Sequence, residues 1–263
     1  MRPTFINPDT KDYDITSEYL YLTADPNQGF RSRLPRSISN KILLVESEEV
    51  EFLKYATDEI PSGSIVVDAG AGQCRYKEAF PHTKYFGLDM VIGDNDWDYS
   101  NLDAVGNLLR MPIKDSCVDA VVCIWVLEHI AEPVQFLSEI NRILKKNGKL
   151  FLSVPQGYGE HQMPHDYFRF SSPGLAYIFN KAGFTIQFIR PMGGYFYFIG
   201  SLLKIFPYII SNSIHNRLLN RMLSVPLKII FEYLIPYVFF YLDRLDKGKG
   251  ITLFYGCYVT KET

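Results

Sequence analysis

The sequence predicts a doubly wound α/β fold on three observations. Short apolar runs of strand length alternate with helix-length apolar stripes from residue 47 to residue 189. The first two runs, Ile65-Val66-Val67 and Lys84-Tyr85-Phe86-Gly87-Leu88, each lead into an acid, Asp68 and Asp89. The first acid also opens a glycine-rich turn, Asp68-Ala69-Gly70-Ala71-Gly72, at the C-terminal end of a strand, where open α/β sheets bind their ligands.

Each element has a local reason. Residues 1–40 are polar and carry turn signals such as Asn7-Pro8-Asp9 and Asp25-Pro26-Asn27, so an irregular N-terminal arm is expected there, with 41–263 as the domain. A helix is expected from Ser47, a good N-cap. Glu48, Glu49 and Glu51 suit the positive end of its dipole, and Val50, Leu53, Ala56 and Ile60 share one face before Pro61-Ser62-Gly63. Val118 to Trp125 is apolar almost throughout, as a central parallel strand covered on both faces would be. Pro133 can open a helix with Phe136, Leu137, Ile140, Ile143 and Leu144 on one stripe, Lys145 and Lys146 at its negative end and Asn147-Gly148 as terminator. Leu150 to Val154 is the next strand. Ser172 and Pro173 form a cap and first-turn pair for a helix closed by Gly183, and Phe184 to Ile189 follows as a strand. After Pro191 come about fifty-five aromatic and aliphatic residues of helical character, then a final strand from Ile251 to Val259.

Composition narrows the function. Of 263 residues 47% are hydrophobic and 21% charged, the balance of a folding chain rather than a disordered one. With 27 basic against 29 acidic side chains the chain has no global attraction for nucleic acid or for an anionic membrane, so a nucleic-acid partner is not expected and any such contact must be local. Cys74, Cys117, Cys123 and Cys257 show no zinc-type spacing, and the first residues have no apolar core of a signal peptide, so a cytoplasmic protein is expected. No uninterrupted apolar stretch reaches the roughly 18 to 20 residues of a membrane span. Tyr195–Ser211 is broken by Lys204 and Pro207, and Val225–Leu242 by Lys228, Glu232 and Pro236.

The glycine turn and its two acids point to a nucleoside-bearing ligand. Gly70 and Gly72 let backbone approach a ligand closely, and Asp89 can accept two hydrogen bonds from vicinal ribose hydroxyls. A dinucleotide site would want a third glycine where Arg75 stands. An acid two residues before the first glycine disfavours a diphosphate and suits a ligand carrying an ammonium, such as S-adenosylmethionine.

These residues resemble class I S-adenosylmethionine-dependent methyltransferases of the methyltransferase-11-like kind, over roughly residues 60–190. Asp68-Ala69-Gly70-Ala71-Gly72 resembles the family's first motif and Gly87-Leu88-Asp89 its ribose-binding acid. The segment Asn107 to Asp119 is similar to the one that packs on adenine, and Leu127-Glu128-His129 and Glu139 to Gly148 match later signatures. Cys74 replaces the motif's third glycine and Asn107 its adenine-binding acid. The resemblance implies a seven-stranded sheet with strand seven antiparallel beside strand six, residues 191–250 as an insert between those two strands, and S-adenosyl-L-methionine as cofactor. It implies that Asp68, Gly70, Gly72, Asp89, Asn107 and Leu108 bind that cofactor.

For the acceptor, the segment His161-Gln162-Met163-Pro164-His165-Asp166-Tyr167-Phe168-Arg169-Phe170 falls at the same sheet edge and suits a substrate-facing lid. His129, His165 and Asp166 are the candidate catalytic residues, with either imidazole able to take a proton from a hydroxyl acceptor. His161, His165 and Asp166 are a workable ligand set for a cation, although no metal is assigned. The acceptor is expected to be a small molecule, a glycan or a lipid-linked compound. The insert carries seven basic side chains against three acids, which suits peripheral contact with the inner face of a membrane or packing on its own sheet or a second subunit. Two rival readings remain at this point. One is an NAD-dependent oxidoreductase, which the missing third glycine disfavours. The other is a membrane-surface nucleotide-binding protein of the same fold without catalysis, which methyl transfer to any acceptor would exclude.

Overall fold

The computed structural model describes residues 34–93 and 97–262. Seven strands form one sheet in the order β3-β2-β1-β4-β5-β7-β6. They are β1 (Ile65–Ala69), β2 (Lys84–Asp89), β3 (Ala104–Val105), β4 (Val118–Ile124), β5 (Leu144–Pro155), β6 (Phe184–Met192) and β7 (Phe254–Lys261). All neighbouring pairs are parallel except those of β7, which runs antiparallel to both β5 and β6. The strand order reverses beside β1, so the ends of β1, β2 and β4 open a crevice there, the switch point at which such sheets take ligands.

Alternation along the central strands explains the two layers. Val66, Ala120, Val122 and Phe151 face one way and meet Leu44, Phe52, Leu53 and Ala56 of helix α2 (Leu44–Glu59), which follows the short helix α1 (Arg36–Ile42). Val67, Val121, Cys123, Leu150 and Leu152 face the other way and meet Phe136, Leu137, Ile140 and Phe179 of α3 (Pro133–Ile143) and α4 (Ser172–Lys181). From Ala120 onward both faces of β4 are thus dry, which is why its sequence is apolar there, Asp119 near its start being the exception.

Several boundaries differ from the sequence expectation. The chain is already helical at Arg36, inside the stretch read as an arm, and residues 1–33 lie outside those described. Ser47 does not cap α2, which starts at Leu44; its hydroxyl instead donates to the Asn40 carbonyl. Lys145 and Lys146 do not end α3. They belong to β5, where Lys145 reaches Asp119 at 2.7 Å across to β4. The cap of α4 is Ser171, one residue earlier than expected, and its hydroxyl accepts from the Gly174 N–H.

The insert between β6 and β7 is helical: α5 (Tyr195–Leu203), α6 (Phe206–Ser213), α7 (Arg217–Lys228), a π-helical turn (Ile229–Leu234) and α8 (Ile235–Leu242). From Arg217 to Leu245 the helix is continuous over 29 residues, long and apolar enough to cross a membrane by length and composition. The sequence reading discounted this stretch because Lys228, Glu232 and Pro236 interrupt it, but a helix tolerates such interruptions within an otherwise apolar window.

Asp243 ties the two ends of this insert together. Its buried carboxylate accepts from the Gly194 N–H at 3.0 Å and the Tyr197 N–H at 3.2 Å, capping α5, and Lys249 Nζ lies 3.5 Å away. Replacing Asp243 by Ala strands those N–H groups, and chemical denaturation is expected to show a loss of about 1–3 kcal/mol. An unchanged unfolding midpoint would show that the insert is held by packing alone.

Candidate active site

The crevice at the switch point is a cavity of about 380 Å³. One end is built by the glycine turn. Gly70 has φ +89°, and a Cβ there would fall 2.4 Å from a Val126 methyl. Gly72 has φ +51°, and a Cβ would fall 2.9 Å from the Trp97 ring. Neither position has room for a side chain, so backbone forms the wall. Asp89 pins the turn to the end of β2, because Oδ2 accepts from the Gly72 N–H at 2.8 Å and Oδ1 from the Val91 N–H at 2.6 Å. An ionised carboxylate offers about four acceptor sites. Two thus remain on a carboxylate that lines the cavity with Met90 and Leu108.

Asp68 and Asn107 are placed differently from the sequence reading. Asp68 is buried under the turn, where it accepts a hydrogen bond from the Tyr85 hydroxyl, and burial pushes its carboxyl up to about 7. It supports the turn from behind rather than facing the cavity. The Asn107 amide oxygen accepts from the Leu109 N–H at 2.8 Å, a local turn that uses the acceptor expected to meet adenine, and the exposed side chain stands outside the cavity that Leu108 lines.

The other end of the cavity is aromatic. Trp125, at the end of β4, has φ +57°, costly for a side chain with a Cβ. Its Nε1–H donates to Glu49 Oε2 at 2.9 Å while the Tyr76 hydroxyl donates to Glu49 Oε1 at 2.8 Å, so one buried carboxylate from α2 holds two aromatic walls. Tyr158 tilts over Trp125 with ring centroids 5.8 Å apart, and His161 stands edge-on to Tyr158 at 5.2 Å and to His129 at 4.7 Å.

The three sequence-predicted catalytic residues separate here. His129 lines the cavity floor and its Nδ1 lies 2.6 Å from the His165 carbonyl, so Nδ1 carries the proton and Nε2 the lone pair. That Nε2 is buried without a hydrogen-bond partner among the described residues, and burial lowers the imidazole's pKa. His165 contributes its carbonyl to this contact. Its ring instead lies 3.1 Å from the Tyr167 hydroxyl and is not among the described cavity-lining groups. Asp166 is not positioned as an acid or base, because Arg169 grips both of its oxygens at 2.6 and 2.7 Å and holds the carboxyl well below the usual range. Asp166 also accepts from the His161 N–H at 2.9 Å, and Arg169 donates to the Tyr158 and Gly159 carbonyls. The pair shapes the loop.

What this loop presents to the cavity is His161, which the sequence reading placed in the lid but not among the catalytic candidates. Its Nδ1 lies 3.0 Å from the Gly159 carbonyl, leaving Nε2 as the open ring nitrogen. The cation set expected from His161, His165 and Asp166 does not form. The donors that do converge are Glu128, His129 and His161, with one atom of each within 4.8 Å of the others, a spacing that would admit a small cation.

Glu128 is fully buried, and neither of its carboxylate oxygens has a hydrogen-bond partner among the described residues. Burial pushes its carboxyl up to about 8, so the folded protein holds a proton that the unfolded chain releases near an ordinary ~4.3. Stability is therefore expected to fall as pH rises from about 4.3 to about 8. Glu128→Gln, which cannot ionise, should gain relative to wild type across that window and no further above it. Parallel melting curves from pH 4 to pH 9 would refute this assignment.

Comparison with known proteins agrees with this architecture. Residues 67–152 match the family model for a methyltransferase domain, Methyltransf_11. A probable S-adenosylmethionine-dependent methyltransferase of Mycolicibacterium smegmatis is 31% identical over 142 residues, which cover 50% of this chain and 55% of that one. A tRNA (carboxymethyluridine(34)-5-O)-methyltransferase of Arabidopsis thaliana is 26% identical over 106 residues, 37% of this chain and 25% of that one. The methyltransferase solved with the Haloferax volcanii Trm112 methyltransferase activator shares the fold with a TM-score of 0.51 at 19% identity, covering 85% of this chain and 95% of that one. The chain spans about half the length of the curated relatives it matches.

The cofactor of such a domain is S-adenosyl-L-methionine, and the residues present fit it. Gly70 and Gly72 line the cavity with bare backbone that a ligand can approach closely, Asp89 lines it with a carboxylate that has acceptor sites to spare, and Met90 and Leu108 offer apolar cover for a base. No diphosphate cradle with a third glycine is present, since Arg75 occupies that place. With this cavity at the switch point of a seven-stranded sheet whose last strand is antiparallel, the chain carries a class I S-adenosylmethionine-dependent methyltransferase domain.

Proposed function

We propose that the protein transfers a methyl group from S-adenosylmethionine to a hydroxyl of a small-molecule, glycan or lipid-linked acceptor bound at the aromatic end of the cavity. The observation that carries this reading is His161, which lines the same cavity as the glycine turn and whose Nε2 is left open by the Nδ1 contact to the Gly159 carbonyl. The cofactor supplies, when bound, a methyl group already activated by its positive sulfur. The protein's part is alignment and proton removal. Trp125 and Tyr158 provide flat apolar walls for the acceptor. As the acceptor oxygen bonds to the methyl carbon and the sulfur–carbon bond breaks, His161 Nε2 takes the hydroxyl proton. His129 lies beneath that ring and, with its own Nδ1 fixed on the His165 carbonyl, acts as a positioning residue.

The test is to incubate the protein with cofactor carrying a labelled methyl group and separated soluble, glycan, lipid and RNA fractions of the host. Label in an alkali-stable ether of one of the first three supports the proposal. Label on RNA, on nitrogen or on sulfur would overturn the assigned acceptor class.

A further inference from the structure

The helical insert divides into two halves of different environment. Its proximal half, α5 and α8, packs on the domain: Phe239 approaches Gly200 closely, and Lys41 of α1 donates to the Tyr241 hydroxyl at 2.8 Å. Its distal half, α6 and α7, is a hairpin closed by hydrogen bonds between Asn220 and Ser211. None of the residues of α7 is buried. Only 11% of the most apolar window of the 29-residue helix is covered.

The exposed surface of α7 is sorted by angle. Arg217, Asn220, Arg221, Ser224 and Lys228 recur at helical spacing and form one polar stripe. Leu218, Met222, Val225 and Ile229 form the adjoining stripe, about 110° round the helix, and are 71%, 65%, 57% and 56% exposed. Asn220 turns the flank of the polar stripe toward α6, which leaves the apolar face pointing away from the hairpin. Ile205 and Ile209 extend the open apolar surface onto the neighbouring helix. A monomer in water has no reason to keep such a contiguous patch uncovered.

Charge selects the occupant. From Pro191 to Phe231 the sequence has no acid and four cations, Lys204, Arg217, Arg221 and Lys228, in a chain whose net charge is −2. A second copy packed across a two-fold axis would bring like charges together along the same seam. An anionic bilayer accepts both halves of the pattern, taking the apolar face below the headgroups and the basic stripe among them. We propose that α6 and α7 form a membrane-docking hairpin that lays its apolar face into the interface of an anionic bilayer. This goes beyond methyl transfer and does not depend on it, because docking needs no turnover.

Flotation of the full chain with vesicles tests it. The protein is expected to float with phosphatidylcholine vesicles containing phosphatidylglycerol and to bind pure phosphatidylcholine about 10²-fold more weakly, at roughly a fivefold loss for each of the three cations of α7. The triple variant Arg217→Gln/Arg221→Gln/Lys228→Gln should bind both vesicles at the neutral level. Leu218→Asp/Met222→Asp should bind neither, with far-UV circular dichroism and cofactor affinity unchanged, since both side chains are exposed and remote in sequence from the cavity. Wild type that ignores both vesicles overturns the proposal, as does an apolar variant that still floats. A wild-type dimer that the Leu218→Asp/Met222→Asp variant converts to a monomer, without vesicle binding in either, would assign the face to a second copy.

Discussion

His161→Gln is expected to slow methyl transfer by about 10²- to 10⁴-fold, the range for loss of a positioned general base, while leaving cofactor affinity unchanged. The reasoning is geometric. Among the three histidines near the sheet edge, only His161 combines a place in the cavity wall with a ring nitrogen left open by its own hydrogen bonding. His129 shares the wall, but its free nitrogen is enclosed, so His129→Gln should act through the seating of His161 and cost less. His165→Gln should be nearly silent, because the contact it supplies is a backbone carbonyl that Gln retains. Single-turnover rates with a hydroxyl acceptor, beside calorimetric cofactor binding for each variant, give this order directly. A slow His165→Gln and a normal His161→Gln would reverse the assignment. Three normal variants would mean an acceptor that needs no base.

Much of the fold was legible because it follows from periodicity. Val66 and Val67 face opposite layers, and so do Val121 and Val122, which is the two-period pattern of a strand buried on both sides. Asp89 and the two glycines were legible because their roles depend on backbone position: an acid at a strand end and a turn that admits no Cβ. What sequence could not show is where a side chain turns once its neighbours are in place. Asp68 has the motif's position, yet Tyr85, seventeen residues on, draws its carboxyl under the turn. Asn107 was judged by its chemistry as an acceptor, and its own loop takes that acceptor. In the lid, sequence alone favours His165 and Asp166 over His161 as catalytic groups. Arg169, only three residues beyond Asp166, closes a bidentate pair that removes Asp166 from the site and aims His161 into it. A short-range Asp–Arg spacing was the available signal for that pair. Exposure of the insert was out of reach for a different reason, since an apolar helix has the same sequence whether protein, lipid or nothing described lies against it.

Asp89→Ala is expected to weaken binding of S-adenosylmethionine or its demethylated product by about 1.5–3 kcal/mol, roughly 10- to 150-fold. The carboxylate has two functions that the substitution removes together. It holds the Gly72 and Val91 N–H groups, and it leaves acceptor sites facing the cavity for vicinal hydroxyls. Asp89→Asn removes only part of each, because the amide keeps one acceptor oxygen for one of the two N–H groups, turns a donor toward the other and carries no charge. Loss of the turn alone would make both variants unstable to heat without cofactor. Loss of hydroxyl recognition alone would leave their melting unchanged and weaken the nucleoside ligand while sparing ligands without ribose. We expect both variants to show both effects, Asp89→Ala the more strongly, since Asp89 is at once the clasp of the glycine turn and the acceptor beside it. Calorimetry that finds wild-type affinity in Asp89→Ala would remove the ribose from this end of the cavity, and with it the orientation that places the activated methyl toward His161.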